Sequence, residues 1–277
     1  MRVCCLGSGS SGNAVLVEAD DGQRHTRVLV DAGFSARQLE ARLAVAGIAP
    51  GQLDAILITH DHGDHTRGMG VFARRHGTPV HLTERTFAAC RDDFRGTERT
   101  ETYTAARPFH VGCLRVEPFL TAHDAADPVA IAIVDVATGA RVGIATDLGR
   151  PTAGVRHALS GCDFLVLEAN HDEVMLRVGP YPRSVQARIA SSHGHLSNQA
   201  AARFATELMH PRLAGVLLAH VSAECNDPEL ARDVVGGALA RAGWRGWLDV
   251  ARQETPGPWL DVEALRGKCG PEQLTLL

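Results

Sequence analysis

Residues 53–65 read LDAILITHDHGDH. The first eight are a nearly continuous apolar run that closes on His60, the pattern of a strand buried on both faces. His60 and His62 are two apart, which places both side chains on one face of an extended segment. Asp64 and His65 follow on a tight loop around Gly63. Three imidazoles and a carboxylate within six residues form a ligand set suited to zinc, manganese or iron.

The same kind of ending recurs along the chain. FLTAH closes on His123, VGIATD on Asp147 and LAGVLLAH on His220. Loops that follow strands are where layered α/β folds place their chemistry, so four such endings point to one shared rim. Other strands are expected at 2–8, 14–19, 26–33, 79–83, within 111–123, and at 128–136, 141–147 and 163–170. Helices are expected at 35–46, with Ser35 as cap and Gly47 as stop, and at 66–77, 84–95, 152–160, 184–192, 197–209 and 228–243. Two terminal strands flank Pro256-Gly257-Pro258. This interleaving assigns an α/β class with helix-covered sheets. No linker divides the chain, so residues 1–263 read as one domain and 264–277 as a short, loosely ordered tail.

A chain of 277 residues with 45% hydrophobic and 22% charged residues has ample material for a core. A net charge of -4 argues against a broad basic surface for duplex nucleic acid, though not against a local basic groove. The seven cysteines are scattered and never form a C-x-x-C pair, which fits reduced thiols. No apolar run reaches eighteen residues and the N-terminus does not read as a signal peptide, so the expected setting is cytoplasmic, without a membrane partner.

The order H-x-H-x-D-H after an apolar strand, then a distant His, Asp and His, resembles the metallo-β-lactamase fold superfamily, as does Asp31 in VLVDAG. The resemblance covers about residues 1–250 and implies an αββα sandwich of two mixed β-sheets flanked by helices. It further implies two divalent ions per chain, Zn²⁺ or Mn²⁺ with Fe²⁺ as a third choice. His60, His62 and His123 would hold one ion, Asp64, His65 and His220 the other, and Asp147 would bridge them around a shared nucleophilic hydroxide. Asp31 would support a ligand histidine from behind.

GSGSSGN at 7–13, HDAADP at 123–128, EANHD at 168–172, GHLSN at 194–198 and LAHVS at 219–223 together resemble the YycJ or WalJ group. That likeness implies a 5′-to-3′ DNA exonuclease with a part in mismatch repair, acting on DNA with a free 5′ end and working beside repair proteins. Asp64 and His195 become the catalytic candidates, with His193 as the competing general acid. Ser8, Ser10, Ser11, Asn13, Asn170, His171 and Arg183 become substrate-binding candidates, with Arg177 and Arg188 as further lining of a strand groove. Ser197 or Asn198 is read as a helix cap. The alternatives are a small-molecule hydrolase (lactone, thioester, lactam or cyclic phosphodiester), an RNA-processing nuclease, or a non-catalytic nucleic-acid-binding module.

Overall fold

The computed structural model describes residues 1–269. The first half of the chain forms strands β1 (Arg2–Gly7), β2 (Ala14–Asp20), β3 (His25–Val30), β4 (Ala55–Leu57), β5 (Val80–Thr83) and β6 (Thr100–Tyr103). The second half forms β7 (Phe109–Val111), β8 (Leu114–Leu120), β9 (Val129–Asp135), β10 (Arg141–Ala145), β11 (Phe164–Glu168), β12 (Gly215–Ala219) and β13 (Trp247–Val250). A last strand, β14 (Leu260–Asp261), returns to pair with β1. Two seven-stranded mixed sheets result, ordered β14-β1-β2-β3-β4-β5-β6 and β13-β12-β11-β10-β9-β8-β7. In the first, β3 to β6 run parallel; in the second, β10 to β13 do.

The apolar runs explain the layering. Val15, Val17 and Ala19 of β2 enter the core between the sheets, whereas Ala14 and Leu16 enter the core on the outer side of the first sheet. Phe164 and Val166 of β11 face the central core, and Leu165 and Leu167 face the helices behind the second sheet. A strand with cores on both sides must be apolar on both, hence near-continuous runs instead of alternation. The outer layers are helical. Against the first sheet lie α1 (Ala36–Val45), α2 (Gly63–Thr66), α3 (Met69–His76) and α4 (Glu84–Ala89). The second half adds α5 (Ala153–Leu159), α6 (Glu173–Val178), α7 (Arg183–Ile189), α8 (Asn198–Glu207), α9 (Pro228–Arg241) and α10 (Val262–Cys269). Val155 and Leu159 of α5, Phe204 of α8 and Leu239 of α9 fill the core behind the second sheet.

Several expected boundaries are corrected. The run 53–60 is a strand only at Ala55–Leu57, after which Ile58 to His60 leave the sheet to form the rim. The helix expected at 66–77 begins later, as α3 at Met69, behind the short α2 that ends at Thr66; at Gly68 between them a Cβ would lie 2.1 Å from the Phe34 carbonyl oxygen. Residues 84–95 form α4 followed by a 3-10 turn at Arg91–Asp93. The tail expected from residue 264 is corrected as well. Residues 264–269 belong to α10, whose Leu265 packs on the central core, and 270–277 lie outside the described residues.

Direction fixes the position of the site. β1 and β3 each run antiparallel to β2, so both end on the same edge as β4. β8 and β10 each run antiparallel to β9, and thus end beside β11 and β12. The last residue of β11, Glu168, and the segments that follow these ends, with Ser8–Asn13, Asp31, His60–His65, His123, Asp147 and His220, share this rim.

Candidate metal centre

Three residues at strand ends turn the chain sharply. Asp31, Asp147 and His220 have φ of 63°, 55° and 54°. Non-glycine residues enter this left-handed region at a cost of roughly 1–3 kcal/mol, which persists where the surroundings dictate it. Here the surroundings are a buried hollow of imidazoles and carboxylates. His60, His65, His123, Asp147 and His220 are all at most 5% exposed.

Hydrogen bonds orient the rings. The Thr59 hydroxyl donates to the Asp31 carboxylate at 2.9 Å, so its oxygen is left to accept from His60 Nδ1–H at 3.0 Å. His65 Nδ1–H donates to Asp31 Oδ2 at 2.8 Å, His123 Nδ1–H to the Gly194 carbonyl at 3.1 Å, and His220 Nδ1–H to Glu168 Oε1 at 2.9 Å. Each ring therefore turns a lone pair on Nε2 inward. His62 presents Nδ1 instead, 3.2 Å from His123 Nε2.

The inward atoms fall into groups that could hold ions. His60, His62, His123 and Asp147 form one, and Asp64, His65 and His220 form another, with donor atoms all within 4.8 Å of one another in each. Asp147 reaches both: Oδ1 is 3.5 Å from His123 Nε2 and Oδ2 is 3.1 Å from His65 Nε2. Asp64 Oδ2 lies 3.4 Å from both His65 Nε2 and His220 Nε2. Among the described residues, His60 Nε2 and Asp147 Oδ2 are buried without a hydrogen-bond partner. A buried polar atom left unmatched is costly, and a cation at that spot would match it.

The electrostatics fit the same reading. Burial, reinforced by His65, pushes His60 well below the ordinary imidazole range, leaving it a neutral donor. Burial alone would raise Asp147, but His220 and His65 outweigh it and hold the carboxylate well below its usual range. Burial would lower His220, yet Asp147, Asp64 and Glu168 lift it to about 10. Four carboxylates, Asp31, Asp64, Asp147 and Glu168, converge on this hollow and demand positive charge, which divalent cations would supply. The residues therefore fit bound metal cations.

Residues 26–220 match the family described as the beta-lactamase superfamily domain. The chain belongs to the metallo-β-lactamase fold superfamily. Within it, the chain is 34% identical over 241 residues, 86% of its length and 89% of the relative's, to "Exodeoxyribonuclease YycJ" of Bacillus anthracis. It is 33% identical, over 86% of its length and 87% of the relative's, to "Exodeoxyribonuclease WalJ" of Streptococcus pneumoniae. Solved structures share the fold at lower identity. YhfI of Bacillus subtilis aligns with a TM-score of 0.69 at 17% identity, covering 92% of this chain and 98% of that one. Human tRNase Z, short form, aligns at 0.63 and 18%, covering 93% and 98%. The superfamily chain is a metal-dependent hydrolase with His and Asp clusters able to bind metal.

The rest of this superfamily site sorts into three positions. Ser10 borders the ion hollow, with Tyr181, Arg188 and Ser222. Ser11 is exposed, but its N–H donates to Gln253 at 2.8 Å. Ser8 and Asn13 correct the expectation of substrate contacts, because both are 3% exposed and turned inward. Ser8 Oγ donates to Asn13 Oδ1 at 2.7 Å and accepts from the His220 N–H at 2.8 Å, and Asn13 Nδ2 reaches His65 Nε2 at 3.1 Å. They shape the ligand loops instead. Asn170 is 5% exposed and donates to the His220 carbonyl at 2.9 Å. Of the paired histidines, His193 is exposed beside Ser192, whereas His195 faces the hollow, 5.1 Å from both His123 and His220 between ring centroids. Ser197, not Asn198, caps α8, accepting from Ala200 N–H at 3.2 Å.

Glu168 was not singled out from sequence. It is fully buried and accepts from His195 Nδ1 at 2.8 Å as well as from His220. Burial would lower His195, but Glu168 overrides this and raises it. The signal was present: FLVLE is a buried run ending in a carboxylate, like the others.

Among the described residues no helix is long and apolar enough to cross a membrane. The six cysteines whose surroundings are described are all buried and unpaired.

Proposed function

We propose that this hydrolase is a two-metal DNA exonuclease releasing nucleotides from a free 5′ end. The observation that carries the substrate class is the 34% identity to an exodeoxyribonuclease across 86% of the chain. The ligand geometry supports the chemistry. His60, His62 and His123 would hold one ion, Asp64, His65 and His220 the second, and Asp147 would lie between them. A pair of Zn²⁺ or Mn²⁺ ions held there would supply a Lewis acid for a phosphoryl oxygen and would lower the pKa of water enough to make it a nucleophile near neutral pH. His195 supplies the remaining function. The Glu168 carboxylate beneath its Nδ1 favours the imidazolium, so Nε2–H can be given to the leaving oxygen. Asp31 and Glu168 act by fixing ring orientation. In this reading the chain works in the cytoplasm beside repair proteins.

A substrate panel tests this. Protein purified without chelator is offered linear DNA, RNA of the same sequence, a lactone and a thioester, each with Mn²⁺ or Zn²⁺. The expected result is nucleotide release from DNA, abolished together with most bound metal in Asp147→Ala. Lactone or thioester turnover with inert DNA would overturn the assignment.

A further inference from the structure

His195 lines two cavities. One is the ion hollow, of about 180 Å³, bounded also by Asp64, Asp147 and His220. The other, of about 770 Å³, lies between α6, α7 and the start of α8. That size is within the roughly 300–1,000 Å³ of pockets that take one small ligand, enough for a nucleotide but not a strand. Its lining is mixed. Leu176, Ala187, Ala190 and Ala200 offer an apolar surface suited to a base. Arg177 and Arg183 are exposed and form no ion pair among the described residues. The neighbouring Arg188, by contrast, is bound to Asp124 at 2.5 Å. The carboxylate in the lining, Glu173, already accepts from Ser197 Oγ at 2.9 Å. His171, 2% exposed, also lines the cavity, and its buried Nδ1 has no partner among the described residues.

Two free guanidiniums beside an apolar wall match a nucleoside monophosphate, with phosphate at the arginines and base against the alanines. We propose that this cavity receives the terminal nucleotide of the DNA, so that Arg177 and Arg183 read the phosphate at the chain end while His195 faces the scissile bond. This rests on the exonuclease reading above. It explains how a hollow that could cut any phosphodiester would be confined to ends.

The test is calorimetric titration of dAMP and deoxyadenosine into the full chain, repeated after chelation to remove binding at the ion ligands. Three proteins are compared: wild type, the double variant Arg177→Ala/Arg183→Ala, and Ala187→Trp, which fills the cavity from an exposed position. The expected result is dAMP binding at least tenfold tighter than deoxyadenosine in wild type, weakened at least tenfold in both variants. Absence of dAMP binding to wild type, or equal binding by all three proteins, overturns the proposal. Nucleotide release from DNA is measured in parallel. Cavity-dependent dAMP binding without any DNA hydrolysis would support the pocket and sink the exonuclease reading. Normal hydrolysis with equal dAMP binding by all three proteins would sink the pocket alone.

Discussion

Glu168 holds two histidines with one oxygen and two main-chain N–H groups, of Leu148 and Leu196, with the other, at 3.0 and 2.9 Å. Loss of its charge should act through His195 and His220 without removing a ligand. His195→Ala is expected to lower kcat by about 10²–10⁴-fold, the usual worth of a positioned acid, with metal content unchanged. Glu168→Gln is expected to lower kcat by about 10–100-fold, as for other outer partners of metal ligands, with KM nearly constant. Steady-state kinetics with metal analysis reads both. A change in KM alone would mean that Glu168 serves binding. His60, His123, Asp147 and His220 could be singled out as candidates because each ends an apolar run, whereas the inward placement of Ser8 and Asn13 was not legible. A Gly- and Ser-rich stretch looks like a phosphate cradle, yet nothing in its composition says which hydroxyl points inward.

Gly33 shows how elements are fitted together. A Cβ there would lie 1.6 Å from the Asp64 carbonyl oxygen, which also accepts from the Asn13 N–H at 2.8 Å. Gly33→Ala should push the 60–65 loop away and lower metal content at least severalfold, measured by metal analysis of folded protein. Full metal content in that variant would show the loop to be more compliant than drawn. Across β1, β2 and β3, Glu18 stands opposite Arg2 and Arg27 and accepts from Arg27 Nε at 2.6 Å. Burial would raise the Glu18 carboxyl, but the bonds from Arg2 and Arg27 reverse this and hold it below its usual 4.5. Such a lowered group stabilises the fold above the unfolded value and loses that contribution as pH falls through the folded value. Glu18→Gln should therefore cost about 1–2 kcal/mol at pH 7, below the roughly 3–5 kcal/mol of a fully buried pair because Arg2 is half in solvent. Denaturant melts at pH 7 and below pH 4 should show that gap closing; a gap independent of pH would contradict the assignment. Strands buried on both sides were readable from composition. β6 escaped because Thr-Glu-Thr-Tyr is an edge strand with three exposed residues, and α6 because Val174 and Val178 are 60% and 76% exposed, which erases its apolar face.

The whole molecule makes the site at a seam. His60, His62, Asp64 and His65 come from the first sheet's edge, and His123, Asp147 and His220 from the second's. Contacts such as His65 to Asp147 exist only because the sheets pack face to face. The chain order of these candidate residues was therefore readable, but the pairing of Glu168 with His195 was not, since the two are 27 residues apart. In the proposed reading, a net charge of -4 would leave grip on DNA to local groups, which would favour action at ends over tracking along a duplex. The decisive measurement is nucleotide release, with Mn²⁺, from one single-stranded DNA in linear form and as a closed circle. Release from the linear form labelled at the 5′ end, with the circle intact, is the expected result. Cutting of the circle, or release that begins at the 3′ end, would contradict a 5′-end exonuclease.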